Sequence, residues 1–281
     1  MCILQSPDSR SYYYEQANLK YQSENSCVYQ AKELTFDRPV CLKILRYQNN
    51  GDIALNREVR CQIDLAKKCA NVPVVFDAWH DGNQHEFYIV SQWIPGKTMR
   101  DRMETLSALE FLGHMSTISA IMQIMFNDGK SHKDIKPENI MISQIESTPY
   151  LIDFNLSLTP PMLGIGTNNY RAPEMSDCGT TIDQRKVDMF SMGVMMYEFF
   201  SGICPSRGDH YSLSRYAQNR DCWESFKQPK EINKTIPDKL NDIIVKCMAY
   251  SPRDRYRSPM DLKRELDHIF YSTVRNWKRN T

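Results

Sequence analysis

The sequence predicts an α+β chain in two lobes. Two observations predict it: the first ninety residues are rich in short β-patterned runs, and almost everything after Pro95-Gly96 carries helical periodicity. A third is compositional. At 41% hydrophobic and 25% charged, the 281 residues can bury a sizeable core.

Ser26–Ala31 and Pro39–Leu45 are β-branched and apolar, bounded by turn formers, and read as strands. Asp37-Arg38-Pro39 suits the turn between them. Ile53–Cys69 reads as a helix with Ile53, Val59, Ile63 and Ala66 near one face. Strands follow around Val74–Trp79 and Glu86–Gln92, with a hairpin turn at Asp81-Gly82-Asn83. Leu106–Phe126 is a long periodic helix. Met189–Phe200 is apolar on nearly every side, as a buried helix is, and Ile236–Met248 is amphipathic. Ser258-Pro259-Met260-Asp261 caps a last helix whose apolar stripe is Leu262, Leu266, Ile269 and Phe270.

Charge and cysteine use narrow the function. With 35 basic and 34 acidic residues the net charge is +1, so neither nucleic acid nor a membrane surface is called for as partner. Nine cysteines, an odd number with no C-x-x-C, indicate neither a zinc site nor a disulfide framework. Free thiols suit a reducing cytoplasm. Met1–Arg10 lacks the apolar core of a signal peptide, and Met189–Cys204, interrupted by Glu198, is too short to span a bilayer. The expectation is a soluble, cytoplasmic protein.

Four motifs carry the chemistry. His132-Lys-Asp-Ile-Lys-Pro-Glu-Asn139 places an aspartate five residues before an asparagine. Asp153-Phe154-Asn155 follows, then Gly166-Thr-Asn-Asn-Tyr-Arg-Ala-Pro-Glu174. Upstream stands Val40-Cys-Leu-Lys43, with Glu58 on the helix after it. Each has a plain structural reading when taken alone. Lys43 would be a solvated strand residue, Lys43–Glu58 a weak surface pair, and His132-x-Asp134 a capped turn. Their order and spacing, however, resemble the protein kinase motifs H-R-D-x-x-x-x-N, D-F-G, A-P-E and V-A-I-K, with Lys133 for the arginine and Asn155 for the glycine.

The resemblance covers about residues 19–270 and is closest to the eukaryotic-like Ser/Thr type found in bacteria. It implies the bilobal protein-kinase fold, with a strand-rich N-lobe over 1–91, a hinge over 92–97 and a mainly helical C-lobe over 98–281. It also implies ATP and Mg²⁺ as cofactors and a protein hydroxyl as acceptor. Asp134 would orient that hydroxyl and take its proton. Lys136 would steady the transferring phosphoryl group, and Asn139 and Asp153 would hold the metal. Lys43, oriented by Glu58, would hold the α- and β-phosphates. Val28, Cys41 and Met141 would enclose the adenine beside Ser91, Gln92, Trp93 and Ile94. Asp188 would brace the catalytic-loop backbone, Arg255 would partner Glu174, and Thr167 would contact Asp134 and Lys136. His132 reads as a packed loop histidine.

Departures from the family pattern leave other functions open. Tyr21, Ser23 and Ser26 stand where a phosphate loop has glycines, so a pseudokinase binding module is the alternative, although all five polar residues of the chemistry are present. Asn155 is expected to take the left-handed backbone in the glycine's place. A small-molecule kinase would lack Ala172-Pro173-Glu174, and transfer of AMP would be recognised by product mass. Ser157 and Thr159 are the phosphorylatable residues of a short activation segment. Lys133 would be a poorer receiver of phosphate than arginine, so activation without loop phosphorylation is expected.

Overall fold

The computed structural model describes residues 2–47, 52–157, 166–175, 183–205 and 227–279, with backbone only for 52–57 and 273–279. Ile53, Thr159, Cys178 and Cys222 therefore lie outside the described side chains.

Seven strands form one antiparallel sheet: β1 (Cys2–Gln5), β2 (Ser11–Tyr14), β3 (Leu19–Gln22), β4 (Ser26–Glu33), β5 (Arg38–Arg46), β6 (Val75–Asp81) and β7 (Glu86–Gln92). The order is β1-β2-β4-β5-β7-β6, with β3 beside the first half of β4. Alternation along β4 buries Cys27, Tyr29, Ala31 and Glu33, leaving Val28, Gln30 and Lys32 for the other side.

The two faces have different partners. One meets α1 (Asp52–Ala66), where Val59 packs against Phe87 and Ile89. The other buries Tyr12, Tyr29, Leu42, Ile44, Tyr88 and Val90 in a core of its own, with Trp79 stacked on Tyr88 at 5.0 Å. The β1–β2 hairpin closes this second core. Tyr12, fully buried, donates its hydroxyl to Asp77 at 3.0 Å, and Arg10 donates to the Phe76 carbonyl at 2.9 Å. Both acceptors sit on β6, at the far end of the strand order. The sheet thus curls until its two ends touch.

Past β7 the chain enters the helical lobe. β8 (Gly96–Thr98), β9 (Ile140–Ser143) and β10 (Pro149–Leu151) make a small sheet. The helices are α2 (Met99–Arg102), α3 (Ala108–Asn127), α4 (Gln184–Ser201), α5 (Pro229–Ile232), α6 (Asp238–Cys247) and α7 (Pro259–Arg279). Reciprocal side-chain caps start two of them, Thr98 with Asp101 on α2 and Ser107 with Glu110 on α3. Such a cap is worth about 1 kcal/mol. α3 and α4 supply much of the largest core, with Phe111, Met115, Ile118, Met189, Phe190 and Met195 among its members. No helix among the described residues is long and apolar enough to cross a membrane. The architecture is a bilobal α+β fold.

Candidate active site

Local structure explains where each side chain stands. Strand register sets Val28 opposite Lys43 and Cys41 opposite Ser91, so all four share the sheet face turned from the aromatic core. Lys43 reaches from that face to two carboxylates, Glu58 Oε1 at 2.7 Å and Asp153 Oδ1 at 2.8 Å. Burial alone would disfavour the ammonium, but Glu58 and Asp153 outweigh it and hold the Lys43 pKa above its usual value. Asp153 shows the reciprocal effect: burial pushes its carboxyl up, and the Lys43 charge and hydrogen bond bring it below the usual range.

The second cluster centres on Asp134. Thr167 donates its amide (2.9 Å) and its hydroxyl (2.7 Å) to Asp134 Oδ1. Lys136 Nζ lies 2.8 Å from Asp134 Oδ2 and donates to Thr167 Oγ1 at 2.8 Å. Asn139 Nδ2 donates to the Asp134 carbonyl and to Oδ2, at 2.9 and 3.0 Å. Burial pushes the Asp134 carboxyl up, but Lys136 and the Thr167 hydroxyl more than offset it, and the pKa falls below the usual range. The site therefore keeps a charged carboxylate aimed and hydrogen-bonded.

The backbone beneath this cluster is held by a buried aspartate. Asp188, on α4, accepts from the amides of His132 (2.6 Å) and Lys133 (2.7 Å). His132 is fully buried; its Nε2 donates to the Ile152 carbonyl at 3.1 Å and its ring meets Phe154 edge-on at 5.2 Å. It is packing, not solvent-facing chemistry. Glu174 takes both nitrogens of Arg255 at 2.7 Å, which fixes the end of the 166–175 segment. Gly166, at φ 85°, opens that segment, and a Cβ there would stand 2.5 Å from the Lys133 carbonyl oxygen. Only glycine permits that approach.

Ile94 is buried and Gln92 half-buried at the exit of β7, while Met141 is half-buried on β9 between buried Ile140 and Ile142. Ser91 is buried, and burial pushes the neighbouring Cys41 thiol up. The cation ligands expected at Asn139 and Asp153 fit a hard ion. Asn139 uses its NH₂ on Asp134, so its oxygen is the atom left to offer, and Asp153 adds a carboxylate.

One expectation needs correction, and two further positions gain a structural reading. Asn155 does not adopt the left-handed region; Asp153 does, at φ 66°, so the asparagine replaces glycine without needing glycine's backbone freedom. Ser157, one of the two phosphorylatable residues of the short activation segment, is 2% exposed and packed inside. The glycine-free hairpin between β3 and β4 has no residue at positive φ. It is closed instead by a serine clasp: Ser23 N donates to Ser26 O at 2.8 Å, Ser26 N donates to Ser23 Oγ at 3.1 Å, and the two hydroxyls lie 3.0 Å apart.

The structure also shows a cluster that sequence reasoning missed. Arg100, on α2, donates to Glu138 at 2.7 Å, to Glu198 at 2.8 and 3.2 Å, and to Tyr170. These partners are 38 to 98 residues away along the chain, a range over which no local pattern signals a pairing.

Known proteins resemble this chain in sequence and in fold. The protein kinase domain family profile matches residues 22–266. A protein of Clostridium perfringens described as a probable serine/threonine-protein kinase is 29% identical over 257 residues, covering 87% of this chain and 36% of that protein. The serine/threonine-protein kinase PrkC of Bacillus subtilis is 27% identical over 265 residues, covering 90% and 40%. The chain thus spans about two fifths of the length of these curated relatives. In fold, it is similar to the autoinhibited serine kinase domain of the giant muscle protein titin, at a TM-score of 0.73 and 17% identity over 90% of this chain and 78% of that one. With four motifs in order, their side chains gathered into two linked clusters, and a family match over most of its length, the chain belongs to the protein kinase domain family.

Proposed function

We propose that this chain is a Ser/Thr protein kinase that transfers the γ-phosphoryl group of ATP to a protein hydroxyl. One observation carries the reading: Lys136, Thr167 and Asn139 converge on the Asp134 carboxylate. Phosphoryl transfer needs alignment and charge stabilisation more than covalent catalysis, and this cluster supplies both.

In this reading, Asp134 accepts a hydrogen bond from the acceptor hydroxyl and aims its oxygen at the γ-phosphorus. The new O–P bond forms as the bond to the β-phosphate oxygen breaks. The hydroxyl proton passes to Asp134, and ADP leaves. Lys136 offsets negative charge on the moving group. Lys43, held by Glu58 and Asp153, contacts the α- and β-phosphates. Val28, Cys41, Ser91, Gln92, Ile94 and Met141 surround the base. Asn139 and Asp153 would hold Mg²⁺, which would supply charge neutralisation at the phosphates. The names of the relatives support a Ser/Thr-directed protein substrate. The free thiols at Cys27, Cys41, Cys61, Cys69, Cys204 and Cys247 suit a reducing cytoplasm.

Intact-mass analysis after incubation with ATP and Mg²⁺ tests the reading against Asp134→Ala. Phosphate added by the wild type alone is the expected result. The serine clasp favours a second reading, a nucleotide-binding pseudokinase, because the Ser26 amide is already bonded. Nucleotide binding without any added mass, even on generic protein substrates, would establish that one.

A further inference from the structure

Residues 2–21 stand outside the matched kinase domain, which begins at residue 22. They form β1, β2 and most of β3. β2 joins the large sheet in register, with Tyr12 opposite Glu33 and Tyr13 opposite Lys32. The Leu34 amide donates to the Ser11 carbonyl at 2.9 Å. The turn between β1 and β2 is closed by the Ser6 amide on the Arg10 carbonyl, also at 2.9 Å. The hairpin is thus built into the sheet.

Its ties to β6 are side-chain bonds across the curl. Arg10 reaches the Phe76 carbonyl and Tyr12 the Asp77 carboxylate, 66 and 65 residues away along the chain. Trp79, on the same strand, stacks against the Tyr12 ring at 5.9 Å. An edge strand of the family's sheet is therefore gripped by a segment that the family profile does not include.

β6 has a second neighbour. Phe76 and Trp79 pack into the aromatic core under the hairpin, while Val75 and Ala78 pack with Val59, Phe87 and Ile89 at α1. Gln62, buried on α1, donates to the Pro73 carbonyl at 2.8 Å, just before β6 begins. The rest of this contact is incomplete. A groove of about 490 Å³ runs between α1 and β6, lined by Val59, Ile63, Val75, Ala78 and Phe87 among others. A gap forfeits the dispersion contacts that fix a packed helix, so the position of α1 depends on where β6 stands. Glu58, one turn before Gln62 on α1, is the residue that meets Lys43 at 2.7 Å.

We propose that the hairpin of residues 2–14 is a strap across the sheet: Arg10 and Tyr12 fix β6, β6 fixes α1, and α1 then keeps Glu58 on Lys43. Arg10 and Tyr12 are positioning residues, acting on the site only through β6 and α1. The inference rests on the kinase reading for what the Lys43–Glu58 pair does, whereas the link from hairpin to α1 stands without it.

The test compares the full chain with a double variant, Arg10→Met with Tyr12→Phe, which cuts both ties and keeps an aromatic ring in the core. Amide hydrogen exchange is read along the chain, with α3 as the internal reference. Amides of residues 58–66 are expected to exchange at least about 5-fold faster in the variant, and those of α3 within about 2-fold of wild type. KM for ATP should rise about 3- to 10-fold while KM for the protein substrate stays within about 2-fold. Faster exchange confined to β1, β2 and β6, or an equal rise in α3, would mark the hairpin as merely structural and overturn the proposal, as would an unchanged KM for ATP. Should the double variant fail to fold, Tyr12→Phe and Arg10→Met are measured singly. Each leaves one tie in place, so a rise of about 2-fold in α1 over α3 is expected, and its absence overturns the proposal. A wild type that moves no phosphate overturns the kinase reading; exchange and the Kd for ATP with Mg²⁺ then decide the strap by themselves. A wild type that phosphorylates, with α1 exchange unmoved in the double variant, overturns the strap alone.

Discussion

Arg255 and Glu174 meet through two parallel contacts of 2.7 Å, and neither side chain is more than 2% exposed. Removing one partner of a buried pair strands the other charge, at about 3–5 kcal/mol. Arg255→Met is therefore expected to lower stability by that amount in urea titration, and to reduce turnover by loosening the end of the 166–175 segment. A loss below about 1 kcal/mol would show the pair to be dispensable.

Asp134 has its carboxyl pKa held below the usual range, with Lys136 the nearest opposing charge. A depressed native pKa gives stability that is complete above the unfolded-state value and lost as pH falls through the native one. The rate should thus show no acid limb from Asp134 above about pH 5. In Lys136→Ala the upward push of burial loses its main opponent, and the limb should move toward neutrality. A pH–kcat profile of both proteins checks the direction.

Asp188 satisfies two buried amides at 2.6 and 2.7 Å. Asparagine offers one acceptor oxygen and turns an NH₂ toward the other amide. Asp188→Asn should cost about 1–3 kcal/mol in stability. It should also lower kcat more than it raises KM for ATP, because the backbone it braces carries Asp134 rather than Lys43. Unchanged kcat in a destabilised variant would refute the bracing role.

Tyr12 closes the second core of the sheet. Tyr12→Ala removes a fully buried aromatic ring and should cost about 3–5 kcal/mol. Tyr12→Phe keeps the ring and loses the hydroxyl's bond to Asp77, about 0.5–1.5 kcal/mol, and should leave KM for ATP within about 2-fold. Denaturant titration of the two variants separates packing from the hydrogen bond.

The motif residues were legible because their chemistry confines them to short runs. His132 to Asn139 is a single loop, and Asp134, Lys136 and Asn139 fold onto one another within it. Most of the helices were legible from periodicity, and the Ser258 cap from its side chain, which accepts from the Asp261 amide at 3.2 Å. What stayed hidden depends on distant pairing. The run Tyr12-Tyr13-Tyr14 has strand composition, yet its strand forms against Lys32 and Glu33, and its anchor is Asp77. The backbone state of Asn155 was misjudged because the motif suggests a left-handed residue without saying which one. Here the strained φ belongs to Asp153, whose carboxylate is held by Lys43.

Gly96 has a mechanical consequence. A Cβ at this position would run into the Ile142 carbonyl oxygen, and the Gln144 amide holds the Pro95 carbonyl at 2.8 Å. The small sheet is therefore fastened to the chain immediately after the large one ends at Gln92. Only Trp93, Ile94 and Pro95 lie between the two. Proline fixes its own φ, and Ile94 is buried. Any change in the angle between the lobes must pass through the few torsions that remain. The joint behaves as a stiff axle rather than a tether, so a substitution at Trp93 or Ile94 would reset every contact across the cleft together.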